Sequence, residues 1–371
     1  MKSFSIKPVL ILALLLPVFL ISGCAGLSGK DEQYVFYPPL PSPPRIQYLA
    51  TFSGPQDLVE GDDGFSQFIL GKESETSTVV KKPYGVQIHD GVIYVVDIRG
   101  PGVAMFDLKK HKFDLMYGAF SGKMRKPINI RIDKDGTKYI TDTIRNLVLV
   151  YNVENKFERL IGDGETFKPS DLLIVGDNLF VTDIKNHKIR VINKYTGKEL
   201  YNFGKAGSKE GELFYPTNLA LGSNGNIYVS ETGNFRVQEF TPKGDFVKIF
   251  GKVGTGLGQF ARPKGIAIDK KGRLYVVDAA FENVQVMNED GRLLMYFGEP
   301  GSEKANINLP TGIAIDYDNI KYFKKYAAPG FKIHYLILVA SQFGLNKVNV
   351  FAYGRQEGLD YSDPVQQVTV E

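Results

Sequence analysis

The stretch YVSETGNFRVQEF, residues 228–240, sets a carboxylate (Glu231), an amide (Asn234) and a guanidinium (Arg236) within six residues of one another. Groups of these types could transfer a proton, hold an anion or fix a turn. The four histidines, His89, His111, His187 and His334, show no H-E-x-x-H pattern and no paired spacing for a metal, and are read as solvent-exposed. There is no G-x-S-x-G elbow, no Walker-type loop and no dinucleotide fingerprint. GTGLGQF, residues 254–260, is glycine-rich but precedes a strand pattern, so it reads as a loop. Asp57, Glu60, Asp62 and Asp63 could offer oxygens to calcium but lack the D-x-D-x-D-G spacing, and they read as a solvated loop. The sequence therefore assigns no catalytic residue, no metal and no cofactor. Its one cysteine, Cys24, leaves no second thiol for a disulfide or a metal cage.

The elements that carry these residues repeat. The chain has 371 residues with 39 Gly and 19 Pro, 25 Phe, 20 Tyr and no Trp, a composition that favours turns and strands over long helices. Six segments share one pattern, among them KPYGVQIHDGVIYVVD, YPTNLALGSNGNIYVSETGN and RPKGIAIDKKGRLYVVD. Their prolines, Pro83, Pro127, Pro169, Pro216, Pro263 and Pro310, are 44, 42, 47, 47 and 47 residues apart. Each unit reads as four short strands, and in three units the fourth ends in Phe-Gly at a fixed distance before the next proline (Gly204, Gly251, Gly298). Four strands per period of this length make a propeller blade.

These units resemble NHL repeats, through the proline, the GIAID and YVVD strands and the N-x-R-V turn exit, over about residues 46 to 355. The resemblance implies an all-β fold, a six-bladed β-propeller of four-stranded blades. The sixth unit departs most, because Ser341 replaces the acid and an insertion of 16 residues separates its first two strands. A propeller must close its ring or leave strand edges unpaired. RIQYLATFSG, near the N-terminus, resembles the fourth strands of other units and is expected to complete the last blade; PVQQVTV near the C-terminus is the rival. Some six-bladed relatives are hydrolases or lyases with a metal at the axis, but the sequence shows no such ligand set.

In this register Glu231 aligns with Asp97, Asp142, Asp183 and Asp278. A catalytic acid is needed once, so an acid in five of six units is read as structural: it accepts turn amides and pairs with a cation opening the next strand, Arg145, Lys188 or Arg236. Two binding surfaces are expected. Lys82, Lys126, Lys168 and Arg262 precede prolines and, with Lys264, would form a basic rim on one face for an anionic partner. The insertion KYFKKYAAPGFKIHY brings Tyr322, Phe323, Tyr326, Phe331 and Tyr335 among lysines on the opposite face, as a second contact surface or as a flap packed on the propeller.

The N-terminus, with Lys2, Lys7, an apolar run and Ile21-Ser22-Gly23-Cys24, resembles a bacterial lipoprotein signal, which implies cleavage before Cys24 and acylation of it. The expected organisation is a signal peptide over 1–23, a proline-rich membrane tether over 24–45, the propeller over 46–355 and a tail over 356–371. Ala25 lacks the aspartate of inner-membrane retention, so an outer-membrane location in a Gram-negative envelope is expected. Without Lys2 and Lys7 the chain has 43 basic and 41 acidic residues, a balance that names no partner. The function expected is a monomeric scaffold binding an envelope protein or an anionic ligand, and not nucleic acid; the alternative is an envelope hydrolase or lyase using the central channel.

Overall fold

The computed structural model describes residues 34–59 and 79–361. Glu60, Asp62, Asp63, the segment 1–33 with Cys24, and PVQQVTV lie outside the described residues. Six antiparallel sheets form six blades, and the first strands, Pro83–His89, Pro127–Ile132, Pro169–Val175, Pro216–Leu221, Pro263–Ile268 and Pro310–Asp316, contact one another in a closed ring around the axis. Five blades have four strands. The sixth runs Pro310–Asp316, Phe331–Ser341, Val348–Gln356, Ile46–Phe52 and then a fifth, Phe36–Tyr37.

Proline opens every first strand for a physical reason. It has no N–H to donate and is tolerated where a strand begins, and in every blade the ladder shifts register directly after it, as between Pro83 and Val86. The repeated Phe-Gly is equally physical. Gly204, Gly251 and Gly298 turn the chain with φ of 81°, 69° and 80°, and a Cβ there would collide with Leu213, Phe260 and Ile307, each nine residues on.

The core lies between blades. Alternate residues of each strand pack against opposite neighbours, so that Phe180, Phe203, Leu219 and Phe240 join blades three and four while Tyr94, Ile130, Ile140 and Leu149 join blades one and two. The ring closes as expected through the N-terminal strand: Ile46 pairs with Tyr353 and Phe52 with Val348. The proline-rich segment corrects the sequence reading. Residues 34–45 are not a free spacer, because Phe36 pairs with Gln47, Tyr37 packs on Phe297 and Phe351, and the Tyr361 hydroxyl donates to the Pro44 carbonyl at 2.8 Å. Clustered aromatics beside the prolines supply apolar area that a solvated tether would lack.

Candidate functional site

In five blades the acid at the end of the second strand ties two loops together. Asp278 accepts amides of Ala261 (2.7 Å) and Arg262 (3.0 Å) ahead of its proline, and of Ala280 (2.9 Å) and Phe281 (3.2 Å) in the turn beyond it. Asp97 does the same with Lys81, Lys82, Arg99 and Gly100, and Asp142 with Arg125, Lys126, Ile144 and Arg145. Asp183 holds the amides of Lys168, Lys185 and Asn186. The longer Glu231 accepts the Phe214 amide (2.8 Å) and three side chains: Asn234 Nδ2 (2.6 Å), Arg236 Nε (2.7 Å) and Gln238 Nε2 (2.7 Å).

The cation partners differ from those expected. Arg236 pairs with Glu231, but Arg145 donates to the carbonyls of Ser121 and Lys123, and Asp183 pairs with Arg190 at 2.8 Å instead of Lys188. An aspartate one methylene shorter spends its oxygens on turn amides, and Arg190, two residues on from Lys188 and on the same strand face, has the reach to meet it. Blade six inverts the chemistry. Buried Ser341 Oγ has no partner, and Lys347 Nζ donates to the carbonyls of Lys81 (3.0 Å) and Gln342 (3.4 Å), so a cation gathers carbonyls where an anion elsewhere gathers amides.

These loops make up the proline face. Of the expected basic rim, Lys126 and Arg262 are exposed there, Lys168 is half-buried, and Lys82 lies over the Phe343 ring, 5.2 Å from its centroid. The sequence did not reveal the apolar character of this face. Tyr117, Phe120, Ile144, Phe214, Tyr215, Val253, Leu257, Phe343 and Leu345 are exposed on its loops, Phe120 at 99%, while among the described residues Leu40, Val59, Val153, Tyr195, Leu221 and Leu359 are exposed on the loops and turns of the opposite side. A search for single apolar residues in polar loops would have found most of them. His187, read as solvent-exposed, stacks on Phe214 and accepts the Tyr215 amide through Nδ1 at 3.0 Å. Glu282 does the same for the Leu309 amide two blades on, at 2.7 Å.

Lys264, within the first strand Pro263–Ile268, is half-buried, and burial first and Arg262 second hold its ammonium down at about 8. Arg131, on the first strand of blade two, donates to Asp171 on the first strand of blade three (2.9 Å) and to the Leu219 carbonyl on that of blade four (3.3 Å). Asp171, fully buried, also accepts the amides of Leu172 and Leu219; burial raises its carboxyl, opposed chiefly by Arg131.

The insertion is packed on the propeller. Phe323, Phe331 and Tyr335 are buried, Phe323 against Phe52, and Tyr335 in a network with Tyr275, Asp269 and Arg273. They cannot serve as contacts for a partner without leaving the core. Tyr322 and Tyr326 remain half-buried and line, with Asp57, Leu58, His111 and Lys321, a cavity of about 240 Å³. Asp57 is not in a solvated loop, since it accepts the Ser53 and Gly54 amides at a short 3-10 helix and burial raises its carboxyl. Among the described residues no three His, Cys, Asp or Glu side chains come close enough to hold a metal ion, and no helix is long and apolar enough to cross a membrane.

Residues 215–240 match the NHL repeat family. Over 89 residues the chain is 30% identical to Protein brain tumor of Drosophila melanogaster, and over 125 residues 26% identical to Protein SUPPRESSOR OF QUENCHING 1, chloroplastic, of Arabidopsis thaliana. The matches cover 23% and 26% of this chain but only 8% and 12% of those proteins. Virginiamycin B lyase of Staphylococcus aureus, solved with quinupristin, superimposes with a TM-score of 0.52 at 17% identity, over 75% of this chain and 97% of that one. A gluconolactonase of Xanthomonas campestris gives 0.53 at 14% identity, over 74% and 86%. At such identities these likenesses establish the fold.

Proposed function

We propose that this six-bladed NHL-repeat propeller is a lipid-anchored protein of the bacterial cell envelope that holds a protein partner on its proline face. The observation that carries the reading is the set of nine exposed apolar side chains on the loops of that face, against six on the loops and turns of the opposite side, with the exposed Phe120 and Phe343 rings among them and Lys126, Lys168 and Arg262 interspersed. Contiguous apolar surface rimmed by polar groups marks an interaction site, and aromatics with arginine suit a protein interface. The anchor rests on the sequence around Cys24. Several acyl chains, at about 0.8 kcal/mol per buried methylene, would hold the chain firmly on a bilayer.

The competing reading, a hydrolase or lyase working in the channel, draws on the fold neighbours and on Lys264, an amine whose titration lies closer to neutrality than an ordinary lysine's. Against it stands the Arg131–Asp171 pair between the first strands of blades two and three, which engages a fully buried carboxylate of the inner ring. The test is capture of partners from solubilised membranes with the wild type, with Phe120→Ser/Phe343→Ser and with the turn-face control Val153→Ser. Loss of the same partner in the double variant alone supports the reading, and retention by all three overturns it.

A further inference from the structure

The cavity of about 240 Å³ beside the insertion is bounded by three separate parts of the chain: the turn 108–111 of blade one, the 3-10 helix Pro55–Leu58 after the closing strand, and the insertion of blade six. Each wall is fixed by bonds of its own. Asn319 Oδ1 accepts the Gly91 amide at 2.7 Å, and a Cβ on Gly91 would meet the Tyr322 ring at 2.8 Å, so the insertion lies directly on blade one. At its other end Gln47 holds the Tyr326 carbonyl and the Ala328 amide. His111 Nδ1 lies 3.1 Å from the Leu58 carbonyl oxygen, which can only accept, so the imidazole donates and ties the turn to the helix. A cavity with walls held in this way needs little ordering when a ligand enters.

Its lining divides into apolar and charged parts. Buried Phe52, Leu58 and Phe323 and half-buried Leu108, Tyr322 and Tyr326 supply apolar surface, most of it aromatic. Exposed Lys321 and Lys325 supply positive charge, each with its Nζ over the ring of the next tyrosine, 5.1 Å from the Tyr322 centroid and 5.2 Å from that of Tyr326. Both tyrosine rings, which could attract a ligand cation, thus already carry an ammonium of the chain itself. Asp57 is the one acid among the described residues of the lining, and its Oδ2 is taken by the amides of Ser53 (2.5 Å) and Gly54 (2.9 Å).

We infer that this cavity binds a small aromatic monocarboxylic acid, its ring among the apolar and aromatic walls and its carboxylate at Lys321. Sites for drug-sized ligands begin at about 300 Å³, so a body of about ten non-hydrogen atoms suits this one. A flat ring gains from edge and face contacts with Phe323, Tyr322 and Tyr326, and the lysines favour a negative group over a positive one. The site lies on the side opposite the proline face and depends on neither the proposed anchor nor the proposed partner.

The experiment is calorimetric titration of the full chain in detergent, at neutral pH, with phenylacetate, phenylacetamide and phenethylamine, three ligands of similar shape that differ in charge. Phenylacetate is expected to bind with Kd on the order of 0.3 mM, phenylacetamide about tenfold more weakly, and phenethylamine most weakly of the three. Lys321 is exposed, so Lys321→Gln leaves the fold intact; it should weaken phenylacetate about fivefold and leave phenylacetamide unchanged, a split that loss of the cavity would not produce. Tyr322→Ala removes a wall and should weaken both severalfold. No binding of phenylacetate below about 10 mM, phenylacetamide or phenethylamine bound as tightly as phenylacetate, or phenylacetate affinity unchanged in both variants overturns the inference.

Discussion

Arg236 Nε lies 2.7 Å from Glu231 Oε1 in blade four, with the carboxylate fully buried and the arginine nearly so. The guanidinium also donates to the carbonyls of Ser208, Lys209 and Glu212, so the pair fastens the loop that precedes Pro216. Removing one partner of a buried ion pair strands the other. Glu231→Gln should therefore cost about 3 kcal/mol in urea unfolding, while partner binding at 25 °C persists. Loss of binding without loss of stability would instead make Glu231 functional.

Closure by residues 46–52 makes the N-terminal strand part of the fold. Gln47, fully buried, donates to the Tyr326 carbonyl (3.0 Å) and accepts the Ala328 amide (3.0 Å), joining that strand to the insertion. Gln47→Ala should cost about 2 kcal/mol by leaving both groups unpaired. Truncation after Tyr361 should leave the melting temperature unchanged; a fall of several degrees would return PVQQVTV to the closing role.

Phe323 tests the insertion. It is fully buried against Phe52, so Phe323→Ala should destabilise the propeller by about 3 to 5 kcal/mol through the cavity it leaves. A variant as stable as the wild type would show that the segment is not anchored in the interblade core.

Lys138 and Lys264 give stability a pH dependence of known sign. Burial lowers both to about 8 in the folded chain, so between pH 8 and about 10 the unfolded chain binds more protons and stability should rise with pH. The gain is complete above the unfolded value and lost as pH falls through about 8. Denaturant midpoints at pH 8.0 and 9.5 should increase, staying below the range where tyrosines titrate, and Lys264→Met should flatten the rise. A decrease over this interval would contradict the burial of these amines.

The repeat was legible because its signals are local. Proline at a strand start, Phe-Gly at a strand end and an acid at a turn recur at fixed spacing, and each answers a backbone need within its own blade or the next. What was hidden depends on which side a neighbouring blade lies. Lys264 follows Arg262 by two residues, yet Arg262 is exposed while Lys264 is half-buried with its ammonium held down by burial. Tyr34 and Phe36 belong to the domain because Phe331 and the core between blades six and one receive them, a contact nearly 300 residues away in sequence.

The basic residues and the apolar residues of the proline face should have separable kinetic effects. Replacing Lys82, Lys126, Lys168 and Arg262 by Gln should slow association and flatten its salt dependence, since exposed charges act mainly on encounter. Phe120→Ala should speed dissociation with no loss of stability, because the side chain is almost wholly exposed. Rates untouched by either set would remove this face from consideration.

The central claim, that the proline face carries the partner, is tested most directly by photo-crosslinking in intact cells with a benzophenone amino acid at Phe120 on one face or at Val153 on the other. A discrete adduct from position 120 and none from position 153 is the predicted result; an adduct from position 153 alone, or none from position 120, would contradict it.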